Sequence, residues 1–314
     1  MIPRALTPAA FAPRVADGGV ESFAGETMGT NWSLHVLSPP SDVVAGLQAA
    51  FDRVVAQMSQ WAPDSDLSRF NRAPAGQWQA VQPELAHVMT AATRIAEASD
   101  GAFDIGLGKL TELWGFGSNG LVTRPPDSVS PDDRTIEFDA GTSRVRRGAH
   151  AALDLSGIAK GYGVDLAAEW LLDQGVRHFL IEVGGELRGE GIRPDGQPWW
   201  VDVEMPPTSS RPAWRIALHD LSVATSGNYR RNFEADGQQF SHSFDPRTAR
   251  PIINGVSSVT VVHRSCMMAD GWATALTVVG PDRAMELADA EGLAATMVVG
   301  DREFCSREWR AMLD

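Results

Sequence analysis

Apolar residues recur at helical spacing in several parts of the chain, which predicts amphipathic helices there. Ser41 is the predicted N-cap of the first of them. Its apolar face is expected to comprise Val44, Leu47, Phe51, Val55 and Met58. A second helix is predicted from Pro83 to just before Gly101, since proline suits a first helical position. Further helices are predicted after Gly157 as far as Gly175, over 267–279, and from Pro281 to near Gly292.

Between these helices, apolar and polar residues alternate with the two-residue period of half-buried strands. Trp199, Val201 and Val203, for example, are separated by Trp200 and Asp202. The predicted strands are 32–37, 151–155, 179–183, 199–204, 214–218, 259–262 and 295–299. Residues 117–148, rich in Pro, Asp, Arg and Ser, are predicted to form loop and short strands. Because strands come in runs, without regular βαβ alternation, the predicted fold class is α+β, with mixed sheets flanked by helices.

Composition and charge narrow the kinds of partner. The 314 residues are 43% hydrophobic and 21% charged, which is typical of a globular protein, and the net charge is -13. A negative protein has the wrong sign to attract nucleic acid or an anionic membrane surface. An anionic ligand would therefore need local means of binding, such as backbone N–H groups, a few basic side chains or a divalent cation.

The sequence contains no readable membrane-spanning or secretory signal. No stretch approaches the ~18 apolar residues of a membrane helix, so no transmembrane segment is expected. Pro3, Arg4 and Pro8 interrupt any apolar leader. The sequence as it stands predicts a cytoplasmic protein, or a periplasmic one if a leader has been removed. Cys266 and Cys305 fit no metal-binding pattern, and whether they pair stays open.

The glycine pattern of a dinucleotide fingerprint occurs once but in the wrong context. Gly115, Gly117 and Gly120 have the required spacing, which is informative only between a strand and a helix. Polar Thr111 and Glu112 precede these glycines, and 124–126 is Arg-Pro-Pro. A Rossmann site is therefore not expected, and the P-loop, H-E-x-x-H and G-x-S-x-G patterns are missing from the sequence.

Two small-residue segments carry candidate chemistry. Ser156, Ala159 and Lys160 stand where a predicted strand becomes a helix, and free N–H groups would collect there to bind an anion. The alternative is an ordinary helix start with Lys160 in solvent. Asp270 and Thr274 are four residues apart, hence on one helix face, and two oxygen ligands at that spacing suit Mg²⁺. Alternatively, both are simply solvated.

A third segment, 241–248, reads as a turn that contains His242, Asp245 and Arg247. An isolated histidine is more often structural than catalytic. The nearby carboxylate of Asp245 favours a functional role, because it could orient or charge the imidazole.

Eight segments in this order resemble the ApbE family of FAD:protein FMN transferases. They are residues 26–30, 58–71, 101–117, 154–162, 183–186, 224–227, 242–248 and 269–276. The resemblance extends from about Thr27 to Val299. It implies an ApbE-like, T-fold-related architecture. Residues 1–22 are predicted to be a poorly ordered extension, and 23–314 a single ApbE-like catalytic region. The alternative for 23–314 is two intertwined α/β lobes.

The resemblance also assigns site residues. Those implied to contact the flavin dinucleotide are Met28, Trp61, Ala102, Phe103, Asp104, Ser156, Lys160, Tyr162 and Phe244. Those implied to hold the metal are Ala159, through its backbone carbonyl, and Asp270, Ala273 and Thr274. His242 is implied to act on the acceptor hydroxyl, and Asp245 is the second catalytic candidate.

The implied reaction is a magnesium-dependent transfer of FMN from FAD to a Thr or Ser hydroxyl of an acceptor flavoprotein, with release of AMP. The alternatives are an FAD pyrophosphatase that yields FMN and AMP, and a non-catalytic FAD-binding protein. Three departures from the family pattern are visible, and nothing is inferred from one of them, Asn31-Trp32. Trp61 stands where tyrosine is frequent, and Ala249 stands where glycine is usual, so the turn would differ there if it needs a positive φ.

Overall fold

The computed structural model describes residues 18–118, 120, 122, 126, 134–207, 209, 211–228, 232–235 and 238–313, with 232–235 and 238–239 described by backbone alone. Most of the predicted N-terminal extension, and the Arg124-Pro125 pair, lie outside these residues. The helices of the described part are α1 (Val43–Met58), α2 (Asp66–Arg72), α3 (Pro83–Ala98), α4 (Gly108–Leu113), α5 (Ala159–Asp173), α6 (Cys266–Val279), α7 (Ala284–Ala290) and α8 (Arg307–Ala311).

The strands of the described part come in a long series with few helices between them. They are β1 (Glu21–Thr27), β2 (Thr30–Val36), β3 (Gln79–Ala80), β4 (Ile136–Asp139), β5 (Arg144–Arg147), β6 (Phe179–Val183), β7 (Glu186–Glu190), β8 (Trp199–Asp202), β9 (Arg215–Leu218), β10 (Leu221–Gly227), β11 (Asn232–Ala235), β12 (Gln238–Ser241), β13 (Phe244–Asp245), β14 (Arg250–Pro251), β15 (Val256–His263), β16 (Ala294–Val299) and β17 (Arg302–Cys305).

One eight-stranded sheet organises the fold, in the order β1-β2-β6-β7-β10-β15-β16-β17. Each neighbouring pair is antiparallel; β2, for instance, pairs with β6 from Trp32 opposite Val183 to Val36 opposite Phe179. The predicted α+β class is confirmed. Strand β1 begins at Glu21, two residues before the predicted start of the catalytic region, and the division into an extension and a single region stays a prediction.

The two faces of the sheet are covered differently. Phe179, Ile181 and Val183 of β6 point toward α5, and α6 packs beside α5 against β10 and β15. Helices α1 and α3 form a further layer over α5 and α6. The opposite face is covered by the β8–β9 hairpin and α8, whose Trp309 is fully buried. The site helices α5 and α6 therefore lie in the interior, between the sheet and an outer helical layer.

The predicted start of the first helix is wrong by one position. Asp42, not Ser41, is the N-cap of α1, and its side chain makes no capping hydrogen bond. The buried face includes Val43 and Val54, whereas Val44 is 44% exposed. The backbone N–H of Val43 bonds the preceding Pro40 carbonyl at 3.2 Å, so a turn fixes where the helix begins and rotates its face.

The predicted strand 151–155 is also wrong, although its apolar side chains are buried. Only Ala152 forms a β-bridge, with Leu107. The next residue, Leu153, instead exchanges two hydrogen bonds with the Asn71 side chain, at 2.7 and 2.9 Å. A side chain thus takes the place that a neighbouring strand would occupy.

Other predictions hold. Pro83 is the first residue of α3, and strands occur at the other predicted positions, with ends shifted by a few residues. The helix predicted from Pro281 begins three residues later, at Ala284. The Gly115 segment follows α4 rather than a strand, so the Rossmann pattern is absent from that part of the described chain. Both cysteines are free thiols.

Candidate active site

Helices α5 and α6 approach until their backbones touch at Gly161. A Cβ at this position would lie 2.4 Å from the carbonyl oxygen of Cys266 and 2.8 Å from Cβ of Asp270, so only glycine fits. The N–H of Gly161 donates to Oδ2 of Asp270 at 3.0 Å. The first turn of α5, which begins at Ala159, is therefore held directly against the N-terminal turn of α6, which begins at Cys266.

The two predicted side-chain metal ligands both face this junction. The carboxylate of Asp270 is 6% exposed, and one turn further along α6 the Thr274 hydroxyl donates to the Gly157 carbonyl at 3.4 Å. No group of three or more His, Cys, Asp or Glu side chains is placed to hold a metal in the described part of the chain. A cation here would draw on one carboxylate, a hydroxyl and backbone oxygen, a donor set that suits Mg²⁺ with phosphate or water completing its coordination.

Lys160 does not extend into solvent. Its ammonium lies 2.5 Å from Oε1 of Glu186, a buried carboxylate at the start of β7. Burial lowers the pKa of Lys160, but the negative charges of Glu186 and Asp270 outweigh it and leave the pKa above its ordinary value. The Lys160 side chain is still 32% exposed, but its ammonium is held in an ion pair with a buried carboxylate and is not free in solvent, as the alternative had it.

The charges of Lys160, Glu186 and Asp270 favour a cation. Burial raises the pKa of the Asp270 carboxyl, although Lys160 and the Gly161 N–H partly oppose the shift. Lys160, Glu186 and Asp270 together comprise one cation and two anions. A bound divalent cation would favour the ionised form of the Asp270 carboxyl, which is the form that it needs as a ligand.

Ser156 is engaged by Asp154, which precedes it in the turn before α5. The N–H of Ser156 donates to Oδ1 of Asp154 at 2.9 Å, and the Ser156 hydroxyl donates to the same oxygen. The other oxygen of Asp154 accepts from the Thr111 hydroxyl at 2.9 Å. Asp154 therefore ties α4 to the turn and fixes the serine that the sequence assigns to the phosphates.

A cavity of about 890 Å³ opens beside α2 and α4, a size typical of ligand sites. Trp61, 49% exposed, lies on its wall. Among the described residues that line it, Arg72, Lys109 and Arg134 carry positive charge, His150 is a neutral imidazole at pH 7 in the net charge of the chain, and Glu112 is acidic. This concentration of positive side chains in a protein of net charge -13 is the kind of local means by which an anionic ligand can be bound.

Arg134 connects this cavity to the predicted catalytic turn. Its guanidinium donates to the carbonyl oxygen of Pro246, and its charge lies near Asp104. Burial raises the pKa of Asp104, while the hydrogen bond from Gly106 and the charge of Arg134 oppose the shift. The predicted dinucleotide contact at Asp104 is thus close to the turn that carries His242.

We use the name His242 turn for residues 241–251, which contain β13 and β14. The Asp245 carboxylate forms a bidentate ion pair with Arg247, with both contacts at 3.1 Å. Burial raises the pKa of Asp245, but the hydrogen bonds from Arg247 outweigh it and the pKa is lowered. The carboxylate charge is thus engaged by a guanidinium, and the hypothesis that Asp245 could also orient or charge the imidazole of His242 stays a prediction. The half-buried His242 ring lies 6.3 Å from that of Phe116.

The departure at Ala249 has a clear structural outcome. Ala249 adopts φ = 55° and is fully buried, and its N–H donates to the Asp245 carbonyl at 2.9 Å. The turn does require a positive φ, and this chain forms it with alanine. A left-handed alanine is costlier than glycine by roughly 1 kcal/mol.

Several predicted contact residues are core residues. Phe103, Tyr162, Phe244 and Ala273 are all less than 9% exposed and pack within apolar clusters. Met28, at φ = 47° in the β1–β2 turn, places its methyl group against Gly163. Burial is the principal cause that raises the pKa of Tyr162, to about 12. Contacts from the four buried residues to a ligand would have to come from their backbone or a ring edge.

Sequence reasoning missed the roles of Glu186, Arg134 and Asp154. Glu186 lies within a segment that resembles the family pattern, but its pairing with Lys160 depends on how β7 lies against α5. Arg134 stands outside every such segment. The sequence offered one signal for Glu186, an acidic residue directly after two glycines at Gly184-Gly185 within a family segment.

Comparison with known proteins gives consistent matches. A sequence model of the ApbE family matches residues 28–297. The FAD:protein FMN transferase of Vibrio cholerae is 37% identical, over 93% of this chain and 92% of its own length, and that of Haemophilus influenzae is 33% identical, over 89% and 86%. The crystal structure of the Pseudomonas stutzeri flavinyl transferase ApbE in its apo form superposes with a TM-score of 0.85 at 33% identity, covering 94% of this chain and 97% of that one.

Proposed function

This chain belongs to the ApbE family and is an FAD:protein FMN transferase, and we propose that it transfers FMN to a Thr or Ser hydroxyl of an acceptor flavoprotein, uses Mg²⁺ and releases AMP. The observation that carries the metal assignment is the α5–α6 junction. There Asp270, a buried carboxylate, and Thr274 face the turn before α5.

The proposed metal would offset the repulsion between FAD and a negatively charged protein. FAD brings a pyrophosphate dianion to a protein of net charge -13. Asp270, Thr274 and the Ala159 carbonyl would hold Mg²⁺, which when bound neutralises phosphate charge. Lys160, kept charged by Glu186, adds a second positive group at the same turn.

The cavity supplies room for the rest of the dinucleotide. Trp61 presents an exposed indole to an aromatic ring of FAD, and an aromatic stack contributes about 0.5–1.5 kcal/mol beyond its area. Arg72, Lys109 and Arg134 line the same space and favour an anion there. Asp104 and the His242 turn lie next to Arg134, so this arrangement supports a path for FAD from the cavity toward the turn.

The proposed chemistry at the turn is proton removal. His242 takes the proton of the acceptor hydroxyl, the hydroxyl oxygen forms a bond to the phosphorus on the FMN side, and the bond from that phosphorus to the AMP oxygen breaks. A positioned base of this kind contributes typically ~10²- to 10⁴-fold. Asp245, through Arg247, holds the shape of the turn.

A transfer assay tests this proposal against its alternatives. The protein is incubated with FAD, Mg²⁺ and candidate acceptor domains from the same genome, and the acceptor is weighed by mass spectrometry. We expect a gain of one FMN less water, stoichiometric AMP, and no gain with EDTA. Equal release of FMN and AMP with and without acceptor would identify a pyrophosphatase instead. FAD that stays bound and intact would identify a binding protein.

A further inference from the structure

A second contact between α5 and α6 lies one turn beyond Gly161. Asp165 of α5 is buried, and its carboxylate accepts four hydrogen bonds. Oδ1 accepts from the backbone N–H of Cys266 at 2.9 Å and from the Arg188 guanidinium at 3.1 Å. Oδ2 accepts from the Ser265 hydroxyl at 2.7 Å and the N–H of Met267 at 3.0 Å.

These contacts make Asp165 the cap of a helix that is not its own. Cys266 and Met267 are the first two residues of α6, whose N–H groups have no partner within the helix. Ser265 satisfies the third, by accepting from Met268 at 3.2 Å. A buried carboxylate at a helix N-terminus is also favoured by the helix dipole.

The same strand supports both contacts on α5. Glu186 and Arg188 are two residues apart on β7, so their side chains leave the same face of the sheet. Glu186 pairs with Lys160, and Arg188 pairs with Asp165 at 3.1 Å. Two ion pairs thus fix α5 on the sheet. Because Asp165 also accepts hydrogen bonds from the first residues of α6, it fixes α6 relative to α5.

We propose that Asp165 is a positioning residue that sets the register of α6 on α5, so that Asp270 and Thr274 face the first turn of α5 and can hold a divalent cation. The argument is geometric. Asp270 lies about one turn from the capped end of α6 and Thr274 about two, and α6 is one continuous helix of 14 residues. A shift or rotation at its first turn would therefore displace both ligands together. This inference rests on the proposed metal site.

The test measures cation affinity directly, without FAD. Free Mn²⁺, as a substitute for Mg²⁺, is titrated by electron paramagnetic resonance against the intact protein and its Asp165→Asn variant. Asparagine keeps the shape but turns one acceptor oxygen into an NH₂ group that faces two donors. We expect the Kd for Mn²⁺ to rise about 10-fold, the size of effect seen when a metal ligand loses its support, and transfer activity to recover in part at high Mn²⁺.

A matched control separates positioning from loss of stability. Ser306 is a buried cap of α8, on the other face of the sheet, and accepts from the N–H of Trp309 at 3.2 Å. Ser306→Ala should also lower the urea midpoint but leave the Kd for Mn²⁺ unchanged. If Asp165→Asn does not fold, Ser265→Ala removes one donor to Asp165 together with the acceptor for the N–H of Met268. We expect it to raise the Kd for Mn²⁺ less than Asp165→Asn would, and Ser306→Ala, which also loses a serine cap, is its control.

If Asp165→Asn, or Ser265→Ala in its place, folds and binds Mn²⁺ as tightly as the unmutated protein, the inference is overturned. The proposed function would then stay intact. The inference would also be overturned if Ser306→Ala, at the same loss of stability, raised the Kd for Mn²⁺ as much as the Asp165 variant does. Failure of the unmutated protein itself to bind Mn²⁺ would instead remove the proposed metal site and the inference with it.

Discussion

The α5–α6 junction and the His242 turn are built in opposite ways. The junction places Asp270 in the interior, on helices of 14 and 15 residues that are fixed by buried hydrogen bonds and ion pairs. The His242 turn contains two strands of two residues each, and the Arg247 side chain that pairs with Asp245 is 76% exposed. The difference agrees with the proposed roles of the two regions, in which the interior junction holds the metal and the exposed side of the His242 turn meets the acceptor protein.

Asp270→Asn tests the α5–α6 junction and should have the largest effect of the substitutions considered. We expect transfer at saturating Mg²⁺ to fall at least ~10²-fold, because a first ligand should matter at least as much as the residues that support it. Burial raises the pKa of Asp270, which shows that its charge is costly in the folded state, so the urea midpoint should stay equal or increase. The exposed Asp195→Asn is the control and should change neither quantity. Full activity of Asp270→Asn at low Mg²⁺ would exclude Asp270 as a ligand.

His242→Ala tests the other region. We expect the rate of FMN transfer to fall ~10²- to 10⁴-fold, the usual contribution of a general base, with the Kd values for FAD and Mn²⁺ unchanged. Single-turnover transfer and fluorescence titration of FAD measure the two quantities separately. His35→Ala, at the exposed β1–β2 hairpin, is the matched control. FAD affinity that falls in step with the rate would make His242 a binding or structural residue.

The smallest expected effect is at Ala249. Glycine would relieve the left-handed φ by roughly 1 kcal/mol but would lose a buried methyl group that contributes about 0.8 kcal/mol. Ala249→Gly should therefore change the free energy of unfolding, measured with urea, by less than about 1 kcal/mol. Valine at the same φ is strained and crowded, and Ala249→Val should destabilise by about 1–3 kcal/mol. Equal stability of the two variants would show that the turn does not depend on this residue.

The fold could largely be predicted where a local pattern decides it. The helical spacing after Pro83 and the alternation at Trp199 depend on which face is buried, and both predictions are confirmed. The strand predicted at 151–155 fails because burial alone does not distinguish a strand from a segment held by the Asn71 side chain. The predicted N-cap of α1 is wrong for a similar reason, because a single backbone hydrogen bond from Val43 to the Pro40 carbonyl sets where the helix begins.

The candidate site could be predicted as a set of positions but not as a set of contacts. Asp270 and Thr274 are neighbours on one helix, so their shared orientation follows from spacing. The pairings of Lys160 with Glu186 and of Asp165 with the end of α6 join residues that meet only through the sheet. Asp245 is near His242 in sequence, yet its charge pairs with Arg247 because that guanidinium can reach both carboxylate oxygens.

The order of strands in the large sheet has a consequence for how the chain folds during synthesis. The β1–β2 hairpin is made first, but β2 pairs with β6, which follows α1 to α5 in the chain. Until β6 and α5 have been synthesised, the side chains of Trp32, Leu34 and Val36 lack part of the apolar surface that buries them, and α1, with Phe51, is the first part of that surface to be made. Closing such a long loop is slow, since its entropy is lost before the pairing stabilises it. While β2 lacks this partner, the β1–β2 hairpin leaves apolar side chains exposed, which favours aggregation of the nascent chain.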